Sequence, residues 1–126
     1  MKSILIADDN ALVRRALRLL FEEQGWEVCG EAADGKEAIR QAEELRPDIA
    51  VLDLSMPMMN GLNVGRILKR NIPEIHMVLF TSFGDLVTPE EVSLSGFSAL
   101  VQKGEAGKLV GEIQKLLDSI RLARAS

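Results

Sequence analysis

A solid apolar run that ends in a carboxylate is the feature that most constrains this chain. Residues 49–52 are all apolar, Asp53 follows them directly, and the turn signal Asn60-Gly61 comes soon after. An unbroken apolar run between loop signals predicts a strand that is buried on both faces of a parallel sheet. Asp53 then lies at the carboxyl end of that strand, where open parallel sheets bind ligands. By itself, Asp53 fits a nucleophile, metal ligand or base as well as an aspartate that only makes a turn.

The rest of the chain alternates strand-like and helix-like segments about five times. The runs 4–7, 49–52, 76–80 and 99–101 are mostly or entirely apolar, whereas residues 26–29 alternate apolar and polar. Alternation predicts a half-exposed edge strand, and apolar residues at three- and four-residue spacing predict amphipathic helices between the strands. We therefore predict an α/β fold, a three-layer doubly wound (βα)5 arrangement with a parallel five-stranded sheet in the order 2-1-3-4-5.

Length and composition narrow the class of protein. A chain of 126 residues predicts a single domain over residues 1–126, with no effector domain. The net charge is −4 and the basic residues are scattered, which argues against direct nucleic-acid binding. No apolar stretch approaches membrane-spanning length, the first residues lack a signal-peptide layout, and Cys29 is the only cysteine. These features predict a cytoplasmic protein that does not bind membranes.

Polar residues follow four of the predicted strands. Asp8 and Asp9 come after the first strand, Asp53 after the third, Thr81 after the fourth and Lys103 after the fifth. Because the carboxyl ends of parallel strands share one edge of a sheet, we expect these side chains to face one crevice. Each residue alone has an ordinary explanation, such as a helix cap, a strand residue or a solvated lysine. Four such coincidences at the ends of strands are improbable, so the set predicts a functional site.

Three carboxylates at one point need compensating charge. Like charges about 4 Å apart repel by about 4 kcal/mol at an effective dielectric constant near 20. Lys103 offsets one charge, and a hard divalent cation offsets the others. Magnesium fits best because it binds one or two carboxylates, keeps several waters and accepts phosphate oxygens. His76, the only histidine, is expected at the opposite end of the sheet in a structural role, so the site lacks the ligands that zinc prefers.

A carboxylate, a magnesium ion, a lysine and a hydroxyl around one point predict phosphoryl transfer. Asp53 would attack a phosphorus atom and become an acyl phosphate. The cation and Lys103 would neutralise charge on the equatorial oxygens, and Thr81 would donate a hydrogen bond to the transferred group.

Together these residues resemble the receiver domain of bacterial two-component response regulators, over essentially the whole chain. The residues that carry the resemblance are Asp8-Asp9, Asp53 within the segment 53–61, Thr81 and Lys103. The resemblance implies that a sensor histidine kinase or a phosphotransfer protein phosphorylates Asp53 in the presence of Mg2+. It also makes Thr81 the switch hydroxyl and Lys103 the partner of the phosphoryl group.

The resemblance further implies a set of metal ligands. Asp9, Asp53 and the backbone carbonyl of Ser55 would bind the cation directly, and Asp8 would act mainly through water. The implied output surface is the face formed by the fourth helix, the fifth strand and the fifth helix, which phosphorylation would shift.

Three positions depart from the family pattern. Leu100 stands where many receivers have Tyr or Phe, so a rotating aromatic side chain cannot be the switch. Gly104 replaces a common proline, a feature similar to the NarL/LuxR-type branch. The capping sequence Thr88-Pro89-Glu90-Glu91, with Thr88 as the N-cap and Pro89 at the first helical position, comes late, which predicts a short, delayed fourth helix and a mobile loop over residues 82–87. We also expect Phe83 to flank the site and to shield an acyl phosphate from water.

Two kinds of protein could carry this site, and the sequence leaves both open. The chain is expected to be either a stand-alone module that contacts a downstream protein, as a monomer or as a homodimer, or the receiver half of a truncated DNA-binding transcription regulator. In both, it would catalyse only its own phosphoryl transfer and dephosphorylation. An Asp-nucleophile phosphatase is less favoured because Ser55 occupies the place of the second acid. A flavin carrier is disfavoured because Asp8 and Asp9 would repel its phosphate.

Overall fold

Five parallel strands form the centre of the computed structural model, which describes residues 2–125. The order of the strands is β2-β1-β3-β4-β5, and every neighbouring pair is parallel. The strands are β1 (Ser3–Ala7), β2 (Glu27–Ala32), β3 (Ile49–Leu52), β4 (His76–Thr81) and β5 (Ala99–Gln102). The predicted fold class and strand order are therefore confirmed.

Helices cover both faces of the sheet. They are α1 (Ala11–Glu23), α2 (Gly35–Leu45), α3 (Gly61–Asn71), α4 (Pro89–Leu94) and α5 (Ala106–Ala125), with short 3-10 turns at Gly84–Leu86 and Lys103–Glu105. Apolar residues of α1 and α5 pack on one face, and those of α2, α3 and α4 pack on the other. Within residues 2–125, no helix combines the length and the apolar character that crossing a bilayer demands.

The two-sided cover explains why the central strands read as solid apolar runs. All four residues of β3 are buried. Ile49 and Val51 face the α1 and α5 side, whereas Ala50 and Leu52 face the α2 and α3 side. Because successive side chains of a strand point to opposite faces, both sets must be apolar when helices cover both faces. Asp53 is thus the first polar residue after a strand that has no exposed side.

Side-chain caps fix where the helices begin. The side-chain oxygen of Asn10 accepts a hydrogen bond from the N–H of Leu12 at 2.9 Å at the start of α1. Asn60 caps α3 in the same way, accepting from the N–H of Asn63 at 3.0 Å. Since Asn10 supplies the cap of α1, the side chain of Asp9 is left for the edge of the sheet.

The fourth helix begins late, as predicted. Thr88 and Glu91 form a capping box, and Pro89 occupies the first helical turn. The helix ends at Leu94, so it is only six residues long. A 3-10 turn at Gly84–Leu86 precedes it, and the mobility that we expect for residues 82–87 stays a prediction.

Gly61 allows the start of α3 to approach the strand that carries Asp53. The N–H of Gly61 donates to the carbonyl oxygen of Leu54 at 2.8 Å. A Cβ atom at position 61 would collide with the backbone carbonyl oxygen of Asp53. The loop between β3 and α3 can therefore close only with glycine at this position.

Two glycine substitutions are expected to change stability in opposite directions. Gly61→Ala should lower the free energy of unfolding by about 1–3 kcal/mol, because the new methyl group forces backbone to move. Gly111→Ala in α5 meets no atom within 4 Å and should raise the free energy by about 0.5–1 kcal/mol, because alanine favours the helix. Urea unfolding of both variants measures the difference. A neutral or stabilising Gly61→Ala would contradict the close approach.

Candidate functional site

Three carboxylates converge at the carboxyl edge of the sheet. Asp8 and Asp9 follow β1, and Asp53 follows the neighbouring strand β3. One ligand oxygen from each residue lies within 4.8 Å of the others. The residues Asp8 and Asp53 are buried, at 2% and 5% exposure, whereas Asp9 is exposed. The structure thus brings together the three acids that the sequence placed at this edge, with one of them open to solvent.

Lys103 bridges the two buried carboxylates. It lies in the turn that follows β5, and its Nζ atom is 2.7 Å from Asp8 Oδ2 and 3.3 Å from Asp53 Oδ2. The sequence predicted that Lys103 would reach this site. The structure adds that its shorter contact is with Asp8 rather than with Asp53.

The electrostatics of the site follow from this crowding. Burial raises the pKa of the Asp53 carboxyl, and the negative charge of Asp8 raises it further, while Lys103 and the backbone N–H of Ser55 act in the opposite direction. The net pKa of Asp53 is raised. Burial by itself would lower the pKa of Lys103, but its hydrogen bond to Asp8 and the nearby carboxylates outweigh burial and raise it. The site therefore holds a firmly protonated lysine beside a carboxyl group that resists ionisation.

Asp8 is held through its backbone as well as its side chain. Its N–H donates to the carbonyl oxygen of Ala32 at 3.0 Å, and its Oδ1 atom accepts from the N–H of Asn10 at 2.9 Å. Its carbonyl oxygen accepts from Arg14 Nη1 at 2.7 Å. The sequence analysis gave Arg14 no role at this site. Its position one turn into α1, after Asp8-Asp9, is the signal that could have pointed to this contact.

The other residues singled out from the sequence lie in β4, in β5 and in the loop after β4. Thr81 is fully buried at the end of β4, and its hydroxyl oxygen accepts from the N–H of Phe83 at 3.0 Å. Phe83 is half-exposed. Leu100 is partly buried and lines a cavity of about 380 Å³ between α4 and β5. His76 begins β4 and so lies at the opposite end of the sheet, as predicted.

The donor set suits a hard divalent cation. Asp8, Asp9 and Asp53 offer carboxylate oxygens, and this cluster contains no histidine or cysteine. Oxygen donors of this kind favour magnesium, manganese or calcium over zinc or copper. The acidic pocket is thus compatible with magnesium, and its crowded charges give it a physical reason to bind a cation. A contribution from the Ser55 carbonyl stays a prediction.

A doubly wound α/β fold with an acidic crevice at the carboxyl edge of its central strands defines the class of protein. The family model for the response regulator receiver domain matches residues 4–114. The chemotaxis protein CheY of Thermotoga maritima is 32% identical over 102 residues, which cover 81% of this chain and 85% of that protein. The chain therefore belongs to the response regulator receiver domains of two-component systems.

A longer relative shares this domain. A protein-glutamate methylesterase/protein-glutamine glutaminase of Hahella chejuensis is 35% identical over 124 residues, which cover 94% of this chain. The chain spans only 36% of the length of that relative. Receiver domains are thus found both in short chemotaxis proteins and in longer proteins with other activities.

Solved structures agree with this assignment. A two-component response regulator of the LuxR family from Aurantimonas sp. SI85-9A1 superposes with a TM-score of 0.87 at 31% identity, covering 93% of this chain and 85% of that one. The response regulator TrrA from Thermotoga maritima, in complex with Mg2+ and beryllium fluoride, gives a TM-score of 0.83 at 25% identity, covering 92% and 99%. The predicted receiver family, including its likeness to LuxR-type members, is confirmed.

Asp53→Asn is expected to stabilise the metal-free protein. Because the pKa of Asp53 is raised by folding, the folded state binds the proton more tightly, and stability falls as the pH rises from the ordinary carboxyl pKa through the raised value. The amide removes this cost, so the variant should gain about 0.5–2 kcal/mol at pH 7. The gain should vanish at a pH below the ordinary carboxyl pKa. Urea unfolding in EDTA across this pH range measures it, and a less stable variant at pH 7 would contradict the crowding.

Proposed function

We propose that this chain is a phospho-accepting signalling domain in which Asp53 takes a phosphoryl group from a sensor histidine kinase or a phosphotransfer protein. The convergence of Asp8, Asp9 and Asp53 around the ammonium group of Lys103 carries the proposal. The related regulator TrrA binds Mg2+ and beryllium fluoride, which supports the same cofactor and a phosphoryl-like ligand for this chain.

The chemistry is a single displacement at phosphorus. One carboxylate oxygen of Asp53 attacks the phosphorus atom of a phosphohistidine and forms a new O–P bond as the P–N bond breaks. The leaving imidazole nitrogen keeps the electron pair of that bond and takes a proton from solvent water. Asp53 must be ionised for this step, and Lys103 beside it favours the ionised form. Asp9, Asp53 and the Ser55 carbonyl would hold Mg2+ directly, with Asp8 acting mainly through water, and the ion would supply positive charge for the phosphoryl oxygens.

Lys103 and Thr81 are proposed to bind the phosphoryl group once it is on Asp53. The phosphoryl group adds about −1.5 to −2 charges beside Lys103, which can then exchange its contacts with Asp8 and Asp53 for the new oxygens. The hydroxyl oxygen of Thr81 accepts a hydrogen bond from the N–H of Phe83. Its O–H group is proposed to donate a hydrogen bond to the phosphoryl group. A pull on Thr81 would therefore move the segment that begins at Phe83 and shift the population of the α4, β5 and α5 face.

The output follows from contacts with other proteins. We propose a single receiver domain over residues 1–126, in the cytoplasm, that catalyses only its own phosphoryl transfer and dephosphorylation. After phosphorylation of Asp53, the face formed by α4, β5 and α5 would bind a downstream protein, a second copy of the chain or a DNA-binding domain of a longer regulator. Because Leu100 stands in place of an aromatic residue, the switch would depend on Thr81 and the loop after β4.

The proposal predicts phosphorylation by a small-molecule donor. Acetyl phosphate with Mg2+ should add one phosphoryl group to the wild-type chain, and Asp53→Asn should stay unmodified because the nucleophile is missing. Intact-mass spectrometry measures the product, and EDTA should abolish it. Asp9→Asn, which keeps the nucleophile and removes one carboxylate, should lower the rate by about 10-fold or more. Equal labelling of wild type and Asp53→Asn would contradict the proposal.

Phe83→Ala is expected to shorten the life of the acyl phosphate. Phe83 is half-exposed and follows Thr81 by two residues, so its ring is proposed to exclude water from the phosphorylated carboxyl. Spontaneous loss of phosphate, followed after removal of the donor, should speed up by about 3-fold to 10-fold, a barrier change of roughly 1 kcal/mol. Leu94→Ala, which shortens an exposed apolar side chain at the end of α4, is the control and should leave the rate of phosphate loss unchanged. An unchanged rate in Phe83→Ala would refute the shielding role.

A further inference from the structure

A network of charged side chains lies beside the acidic site, on the side of the edge strand β2. The carboxylate of Glu31 accepts from Arg18 Nε at 2.6 Å and from Arg14 Nε at 3.3 Å. The backbone carbonyl of Glu31 accepts from the side-chain amide of Gln41 at 2.8 Å. Glu31 is thus fixed by α2 through its backbone and holds two arginines of α1 through its side chain.

Arg14 extends this network to the metal-site acids. While its Nε atom contacts Glu31, its Nη1 atom donates to the carbonyl oxygen of Asp8 at 2.7 Å. The Arg14 side chain is only 19% exposed, so both contacts are largely shielded from water. The accepting carbonyl belongs to the peptide unit that joins Asp8 to Asp9, and a peptide unit is planar. Fixing that carbonyl fixes the direction in which the backbone presents both carboxylates.

We propose that Arg14, oriented by Glu31, is a positioning residue that preorganises Asp8 and Asp9 for a divalent cation. This inference rests on the proposed function of the same site. The direct contact of Arg14 with the site is its hydrogen bond to the backbone carbonyl of Asp8. Partners that orient ligand residues commonly change metal affinity by about 10-fold to 100-fold when they are removed.

Charge and positioning predict opposite results for the removal of Arg14. A guanidinium group near the site repels a cation, so loss of its charge alone should tighten metal binding. Loss of the hydrogen bond to Asp8 should weaken metal binding, because the two carboxylates must then be ordered when the cation arrives. The direction of the change in Kd therefore separates the two effects.

The chain offers a matched control for Arg14. Arg18 contacts the same carboxylate of Glu31 and carries the same charge, and its hydrogen bonds go to Glu31 and Glu22 rather than to Asp8. Arg14→Gln should raise the Kd for Mg2+ by about 10-fold. Arg18→Gln should leave the Kd unchanged or slightly lower. Arg14→Lys keeps the charge but has one nitrogen for two partners, so its Kd should lie between those of the wild type and Arg14→Gln.

Titration calorimetry of the full chain with MgCl2, at fixed ionic strength, measures these values, and circular dichroism shows that each variant is folded. In metal-free protein, the amide resonance of Asp9 should also shift in Arg14→Gln and not in Arg18→Gln. Wild-type-like or tighter binding by Arg14→Gln would overturn the inference; if that variant does not fold, wild-type-like binding by Arg14→Lys would overturn it. No Mg2+ uptake by the wild-type chain would instead overturn the proposed function, and the inference with it.

Discussion

The mutual repulsion of buried carboxylates is the constraint on which this site depends. Asp53 follows a strand without an exposed residue, and its own N–H donates to the carbonyl oxygen of Ala7 at 2.9 Å. The N–H of Asp8 donates to the carbonyl oxygen of Ala32 in β2, on the other side of β1, at 3.0 Å. The backbone at Asp8 or Asp53 cannot move away without breaking these hydrogen bonds. The repulsion between the two carboxylates is therefore relieved by Lys103, by a proton or by a bound cation.

Local signals in the sequence were enough to predict the elements that carry the site. The solid apolar run before Asp53 predicts a strand covered on both faces, and the sequence Thr88-Pro89 predicts the start of α4 from capping alone. Lys103 was predicted at the edge because β5 ends directly before it. These predictions succeed because each depends on neighbours in the chain or on the common direction of parallel strands.

Contacts between distant side chains were beyond the reach of the sequence. Residues 26–29 were expected to form the edge strand, but β2 runs from Glu27 to Ala32, with a register shift opposite Ile4 and Leu5. That extension places Glu31 against α1, where its carboxylate accepts a hydrogen bond from Arg14. The spacing of apolar residues does not predict such a side-chain pair. Likewise, the preference of Lys103 for Asp8 over Asp53 depends on side-chain geometry that spacing alone does not encode.

The asparagine caps of α1 and α3 have an electrostatic consequence for the same edge. Both helices begin just after the strands that carry the carboxylates, and neither has an acidic residue in its first turn. By contrast, α4 has Glu90 and Glu91 in its first turn. Because a helix amino terminus carries a partial positive charge of roughly one half, neutral caps leave both dipole ends to act on Asp8 and Asp53 themselves. The backbone thus offsets part of the negative charge that these two buried carboxylates bring to the edge.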